Sequence, residues 1–207
     1  MRQKLLFNLI NIILLIIQIK CIFIPLKRVN NPDTSLNYIE SLLQNQLYAE
    51  INLGTPEQLI YLSITTETET FSIESKTIND KFYSHISSST HIDSNRKLSF
   101  YHERYKTGYI YKDTFYFNKL GENKKETYKN ISFDYILELS EAYTKNEKKF
   151  YIDNNHNEIS GVIGLQILKS YSSSSSFLNS LSNVGAINRS IWSLVYNLFY
   201  DNNLYLI

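Results

Sequence analysis

Between residues 47 and 65 the chain commits itself to a strand, a tight turn and a second strand. Residues 47–53 (Leu-Tyr-Ala-Glu-Ile-Asn-Leu) alternate apolar and polar side chains, the period of a strand with one buried face. Gly54-Thr55-Pro56 is turn chemistry, and residues 59–64 (Leu-Ile-Tyr-Leu-Ser-Ile) make a second run. The pair predicts a β-hairpin, and 17 Tyr with 11 Phe give the rest of the chain ample strand-forming side chains. A hairpin alone is generic. What narrows the fold is the order of segments downstream of it.

Those segments are Phe82-Tyr83-Ser84-His85-Ile86-Ser87-Ser88-Ser89-Thr90, then Leu98 to Phe100 with Arg104-Tyr105-Lys106-Thr107-Gly108, and Asp113-Thr114-Phe115. Ile159-Ser160-Gly161-Val162-Ile163-Gly164-Leu165 and Asn188 to Tyr196 follow. With Tyr48 to Gln58 they resemble, in order and at near-family spacing, the first lobe of the pepsin-like aspartic proteases. The family patterns are Y-x-x-x-I-x-I-G-T-P-x-Q, F-x-P-x-x-S-S-T, F-x-I-x-Y-G-T-G, D-x-[VF] and F-D-G-I-L-G-L. The resemblance implies an all-β fold, a single closed, orthogonal barrel-like lobe spanning residues 47–198. It makes residues 98–108 a flap hairpin with Tyr105 as its substrate-contacting tyrosine. Residues 159–165 become a strand that crosses the lobe behind the active-site turn.

The catalytic residues do not carry over. In the family the second strand of the hairpin delivers Asp-Thr-Gly-Ser, whereas Thr65, Thr66, Glu67 and Thr68 stand here. The chemistry needs two carboxylates sharing one proton, one acting as base on water and the other as acid. A threonine hydroxyl is no general base at that pKa, and losing the acid/base group alone costs at least on the order of 10²–10⁴-fold in rate. Glu67 replaces a small glycine, and Ser72 stands where relatives carry a tryptophan that bonds the flap tyrosine. If residues 65–69 continue as strand, Glu67 and Glu69 share a face with Thr65. A two-residue step still displaces the carboxylate by about 6.6 Å. The simpler reading of these residues is an exposed polar strand edge or turn. Asp113 and Asp134 match positions away from the active-site turn, Asp113 a structural one. The second aspartate of the family comes from a second lobe, which the resemblance does not extend to.

Arg2, Lys4 and the apolar stretch from Leu5 to Ile19 predict a signal peptide over residues 1–21, with an uncleaved signal anchor as the alternative. Residues 22–46 form a short propeptide-like segment beginning Ile24-Pro25-Leu26-Lys27-Arg28, with a helical pattern at Ile39, Leu42 and Leu43, and residues 199–207 a divergent tail. Secretion, or delivery to an endolysosomal lumen, follows from the leader. It makes the sequons at Asn130 and Asn188 candidate glycosylation sites. Cys21 is the only cysteine, so the mature chain holds no disulfide. A net charge of +1 gives no pull toward nucleic acid. His85, His91, His102 and His156 lack metal-ligand spacing and read as surface residues, so neither metal nor cofactor is expected. The serine run at residues 172–176 reads as a loop before a helix at residues 177–184.

The expected function is therefore membership of the aspartic endopeptidase family without catalytic capacity. Two alternatives stand beside it: a module that binds peptide or protein ligands without cutting them, and a truncated relic of a larger protease gene. A lone lobe would also leave its inter-lobe face open to association.

Overall fold

A computed structural model describes residues 22–29, 46–75, 82–98, 105–118, 125–139, 158–166, 175–188, 192–197 and 203–206. The hairpin forms where the alternation places it. Strands β2 (Leu47–Leu53) and β3 (Gln58–Thr65) run antiparallel, with Ala49 opposite Leu62 and Ile51 opposite Ile60. Ile51, Leu53, Ile60, Leu62 and Ile64 point to one side and are at most 1% exposed.

This pair is part of a closed ring of six strands. The others are β4 (Phe71–Glu74), β6 (Tyr105–Asn118), β7 (Lys125–Leu139) and β8 (Gly161–Gly164). Around the ring the order is β2, β3, β8, β4, β7, β6, and β6 returns to β2 through Asn52 opposite Tyr116 and Leu53 opposite Phe115. The β3–β8 and β4–β7 pairs are parallel. Every residue of β4 and β8 is buried, as expected of short strands covered on both faces. Apart from the short helices named below, the described residues are all-β, as expected.

Closure brings the large aromatics inside. Phe71 packs against Phe115, Phe133 and Phe177 with ring centroids 5.6, 6.1 and 4.9 Å away. Such pairs add about 0.5–1.5 kcal/mol each beyond area burial. Phe177 opens helix α1 (Phe177–Asn183), whose Phe177, Leu178 and Leu181 face the core.

Several expected loops and ends turn out to be built into the fold. Ser175 and Ser176, the end of the expected serine loop, are structural: Ser175 is buried and Ser176 caps α1 by accepting from the Asn179 amide. β1 (Ile24–Arg28), from the propeptide-like segment, pairs with the first half of β2. β10 (Asn203–Leu206), from the divergent tail, lies between β1 and β9 (Leu194–Asn197). Lys27 of β1 pairs with Glu50 of β2 at 2.7 Å. The leader, the helical pattern at Ile39, Leu42 and Leu43 and the flap tip at 99–104 lie outside the described residues.

Candidate functional site

The chain leaves β3 at Thr65 and enters β4 at Phe71, and β8 lies between these two strands. The connection therefore has to pass over the end of β8, and the backbone fastens it there. The amides of Gly164, Leu165 and Gln166 donate to the carbonyls of Thr70, Thr65 and Thr68 at 2.9, 2.8 and 3.0 Å. Two glycines allow this approach. A Cβ on Gly161 would meet the Ser72 carbonyl oxygen at 2.2 Å, and one on Gly164 the Thr68 carbonyl oxygen at 2.3 Å. Trp192 closes the same end by donating its indole N–H to the Leu165 carbonyl at 2.8 Å.

Inside the turn the threonine hydroxyls serve the turn itself. Thr65 Oγ1 accepts from the Glu67 amide at 3.2 Å, and Thr68 Oγ1 accepts from the Thr70 amide at 3.1 Å. These are the local side-chain bonds by which Thr stabilises bends. Thr65 is 6% exposed. Its hydroxyl is held by its own loop, with no carboxylate chemistry of its own. Of the readings open for residues 65–69 the turn is the one observed: β3 ends at Thr65, so Glu67 and Glu69 lie in the connection to β4, Glu67 exposed and Glu69 half-buried. The bends at Thr66 and Glu67 break the alternation that would have put the two carboxylates on one face with Thr65.

Asp113 and Asp134 sit elsewhere, both 1% exposed. Asp113 accepts from the Tyr83 hydroxyl and the Thr90 hydroxyl, each at 2.5 Å, and from the Thr114 amide at 2.7 Å. Thr90 Oγ1 also lies within hydrogen-bond distance of Thr55 Oγ1 at 3.2 Å, and Ser88 Oγ accepts from the Thr55 amide at 3.1 Å. Asp113 thus ties the 82–90 segment to the Gly54-Thr55-Pro56 turn, a structural duty. Asp134 accepts from the Ser175 amide at 2.7 Å, fixing the start of α1.

Tyr105 is the first residue of β6 and stands opposite Leu139 of β7; its side chain lies outside the described residues. The amide of Leu98 donates to the carbonyl of Gly108 at 3.0 Å, so β5 (Ile92–Lys97) and β6 do form the legs of a hairpin. Asn130 and Asn188 are both exposed.

The surface reading of His85 and His91 is also corrected. Both are half-buried, 5.0 Å apart between ring centres, at the two ends of the segment containing the 3-10 helix His85–Ser87. Tyr111 lies 4.4 Å from His91, Tyr135 stacks on Tyr111 at 4.6 Å, and the Tyr135 hydroxyl bonds His85 Nδ1 at 3.0 Å. Burial, and then the neighbouring His91, push the His85 imidazole below its ordinary range, with Asp93 opposing. Two histidines six residues apart on an irregular segment leave no periodic signal, so this cluster was invisible in the sequence. His102 and His156 lie outside the described residues. Among the described residues no three His, Cys, Asp or Glu side chains are grouped to hold a metal ion.

No protein-family model matches the chain, and no curated protein matches it.

Proposed function

We propose that this chain is a catalytically silent lobe of the pepsin-like type that holds an extended peptide without cutting it. One observation carries the reading: β8 passes between β3 and β4, beneath the turn that begins at Thr65. That is where the resemblance puts the strand formed by Ile159 to Leu165. The hairpin around Gly54-Thr55-Pro56 and the paired legs of the flap support the same reading. The loss of catalysis follows from Thr65, whose hydroxyl is bonded within its own turn and replaces the only carboxylate this lobe would contribute.

A peptide between the flap hairpin and the 65–70 turn is favoured over one added to the edge of β5 that no described strand pairs with. That edge carries Asp93, Arg96 and Lys97 and a register shift between Asp93 and Arg96, features that discourage strand addition. Fluorescence anisotropy with labelled, extended ten-residue peptides tests the proposal. Binding is expected, weakened about tenfold by Tyr105→Ala, the loss of one aromatic contact of ~1.4 kcal/mol. No binding at millimolar peptide would sink it.

A further inference from the structure

We propose that Asn130 carries an N-linked glycan whose first sugars rest in the cleft between β7 and α1. The proposal depends on the secretory reading of the leader, because the transferase acts only on chains that enter that route. In the reaction the Asn130 amide nitrogen loses a proton and bonds the anomeric carbon of a lipid-pyrophosphate-linked oligosaccharide. The sugar–pyrophosphate bond breaks and the lipid pyrophosphate leaves.

The folded chain presents this acceptor without cost to the sheet. Register between β6 and β7 passes from Phe115 opposite Tyr128 to Asp113 opposite Ile131, so Lys129 and Asn130 together face the single residue Thr114. This is a β-bulge, and it lifts Asn130 out of the ladder. Asn130 takes φ +63, a left-handed conformation that asparagine tolerates better than most residues. It is exposed, while the next residue, Ile131, is fully buried and pins the strand. The carbonyl of Ser132 accepts from Ser180 Oγ at 2.9 Å, which ties the end of the sequon to α1.

Beside Asn130 lies a cleft of about 520 Å³, within the range of small-molecule sites. Lys112, Thr127, Ser132 and Asn183 line it with hydrogen-bonding groups suited to sugar hydroxyls. Tyr128 adds a fixed aromatic surface: its ring packs on Phe117 at 5.9 Å and its hydroxyl donates to Glu126 at 2.5 Å. Asn130 itself is part of the rim, so a glycan attached there has the cleft within its first bonds.

The test expresses the full chain in glycosylating eukaryotic cells under two leaders, its own and a cleavable secretory leader of proven function. Intact mass is read before and after peptide-N-glycosidase, for the unaltered chain, Asn130→Gln and Asn188→Gln, on secreted and cell-retained material alike. The expected result is loss of one glycan mass in Asn130→Gln under both leaders. An unmodified Asn130 under the proven leader overturns the proposal outright. Modification under that leader alone overturns the secretory reading, and with it a native glycan at this site. The cleft is tested by the melting midpoint: deglycosylation is expected to lower it by about 2–4 °C in the unaltered chain and not in Tyr128→Ala. Equal shifts in the two would mean that the glycan projects into solvent.

Discussion

A Cβ on Gly164 would stand 2.3 Å from the carbonyl oxygen of Thr68, so β8 and the turn after Thr65 meet backbone to backbone. Gly164→Ala forces them apart and strains the bonds from Gly164, Leu165 and Gln166 to the turn. The expected loss is about 1–3 kcal/mol, read as a lower urea midpoint. Gly185 is the control, with φ +69 and nothing within 4 Å of its absent Cβ. Gly185→Asn is expected to stay within about 0.5 kcal/mol of the parent. Equal effects at the two glycines would mean that the contact does not govern stability.

Asp113 organises a second junction. Asp113→Ala leaves the hydroxyls of Tyr83 and Thr90 and the Thr114 amide without their acceptor. Each buried orphan costs about 1–3 kcal/mol, so the variant is expected to be among the least stable single substitutions. Tyr83→Phe removes one donor and leaves the carboxyl its other two bonds, and is expected to cost less. Thermal melts of both variants check the order.

The same region makes the fold sensitive to alkali. Burial, and then the bond to Asp113, push the Tyr83 hydroxyl above its ordinary range, and burial pushes Tyr135 up to about 12. An unfolded tyrosine ionises near pH 10. Between about pH 10 and 12 the unfolded chain therefore releases protons that the folded chain retains, so stability falls as pH rises. Absorbance at the phenolate band is expected to show these two tyrosines titrating last, together with unfolding.

Acid acts through His85. The groups facing it are His91, Asp93 on β5, Tyr111 on β6 and Tyr135 on β7. Its folded value lies below the ordinary 6.5, so the unfolded chain binds the extra proton first. The stabilisation is present above about pH 6.5 and is lost as pH falls through the lower folded value. Melting midpoints between pH 7.5 and 5 are expected to drop in the parent and to drop less in His85→Gln. A parallel fall in both would remove His85 as the cause.

The hairpin was legible because Leu47 to Ile64 combine a two-residue period with turn chemistry between the runs, and both signals are local. The pairing of β8 was not readable from composition, since Gly161-Val162-Ile163-Gly164 names no partner. Only its place in an ordered series of motifs suggested where it lies. The end strands were missed for a different reason. Asn203 to Leu206 is four residues, too short to show a period, and is strand because β1 and β9 flank it. Ser175 and Ser176 do precede the helix as expected, but composition within a serine run does not reveal which hydroxyl meets a helix N-terminus or which amide meets Asp134. At the site, the identity of residue 65 was readable directly, and the bond from the Glu67 amide that occupies its hydroxyl was not.

The central claim is that a chain with Thr65 in this turn performs no acid–base hydrolysis. Its most direct test is mass spectrometry of an unfolded protein substrate incubated with the purified chain at pH 3 to 6, with and without pepstatin. Full recovery of intact substrate under every condition is the expected result. Pepstatin-sensitive fragments that accumulate with the concentration of the chain would contradict it and place a working carboxylate pair in a site now assigned none.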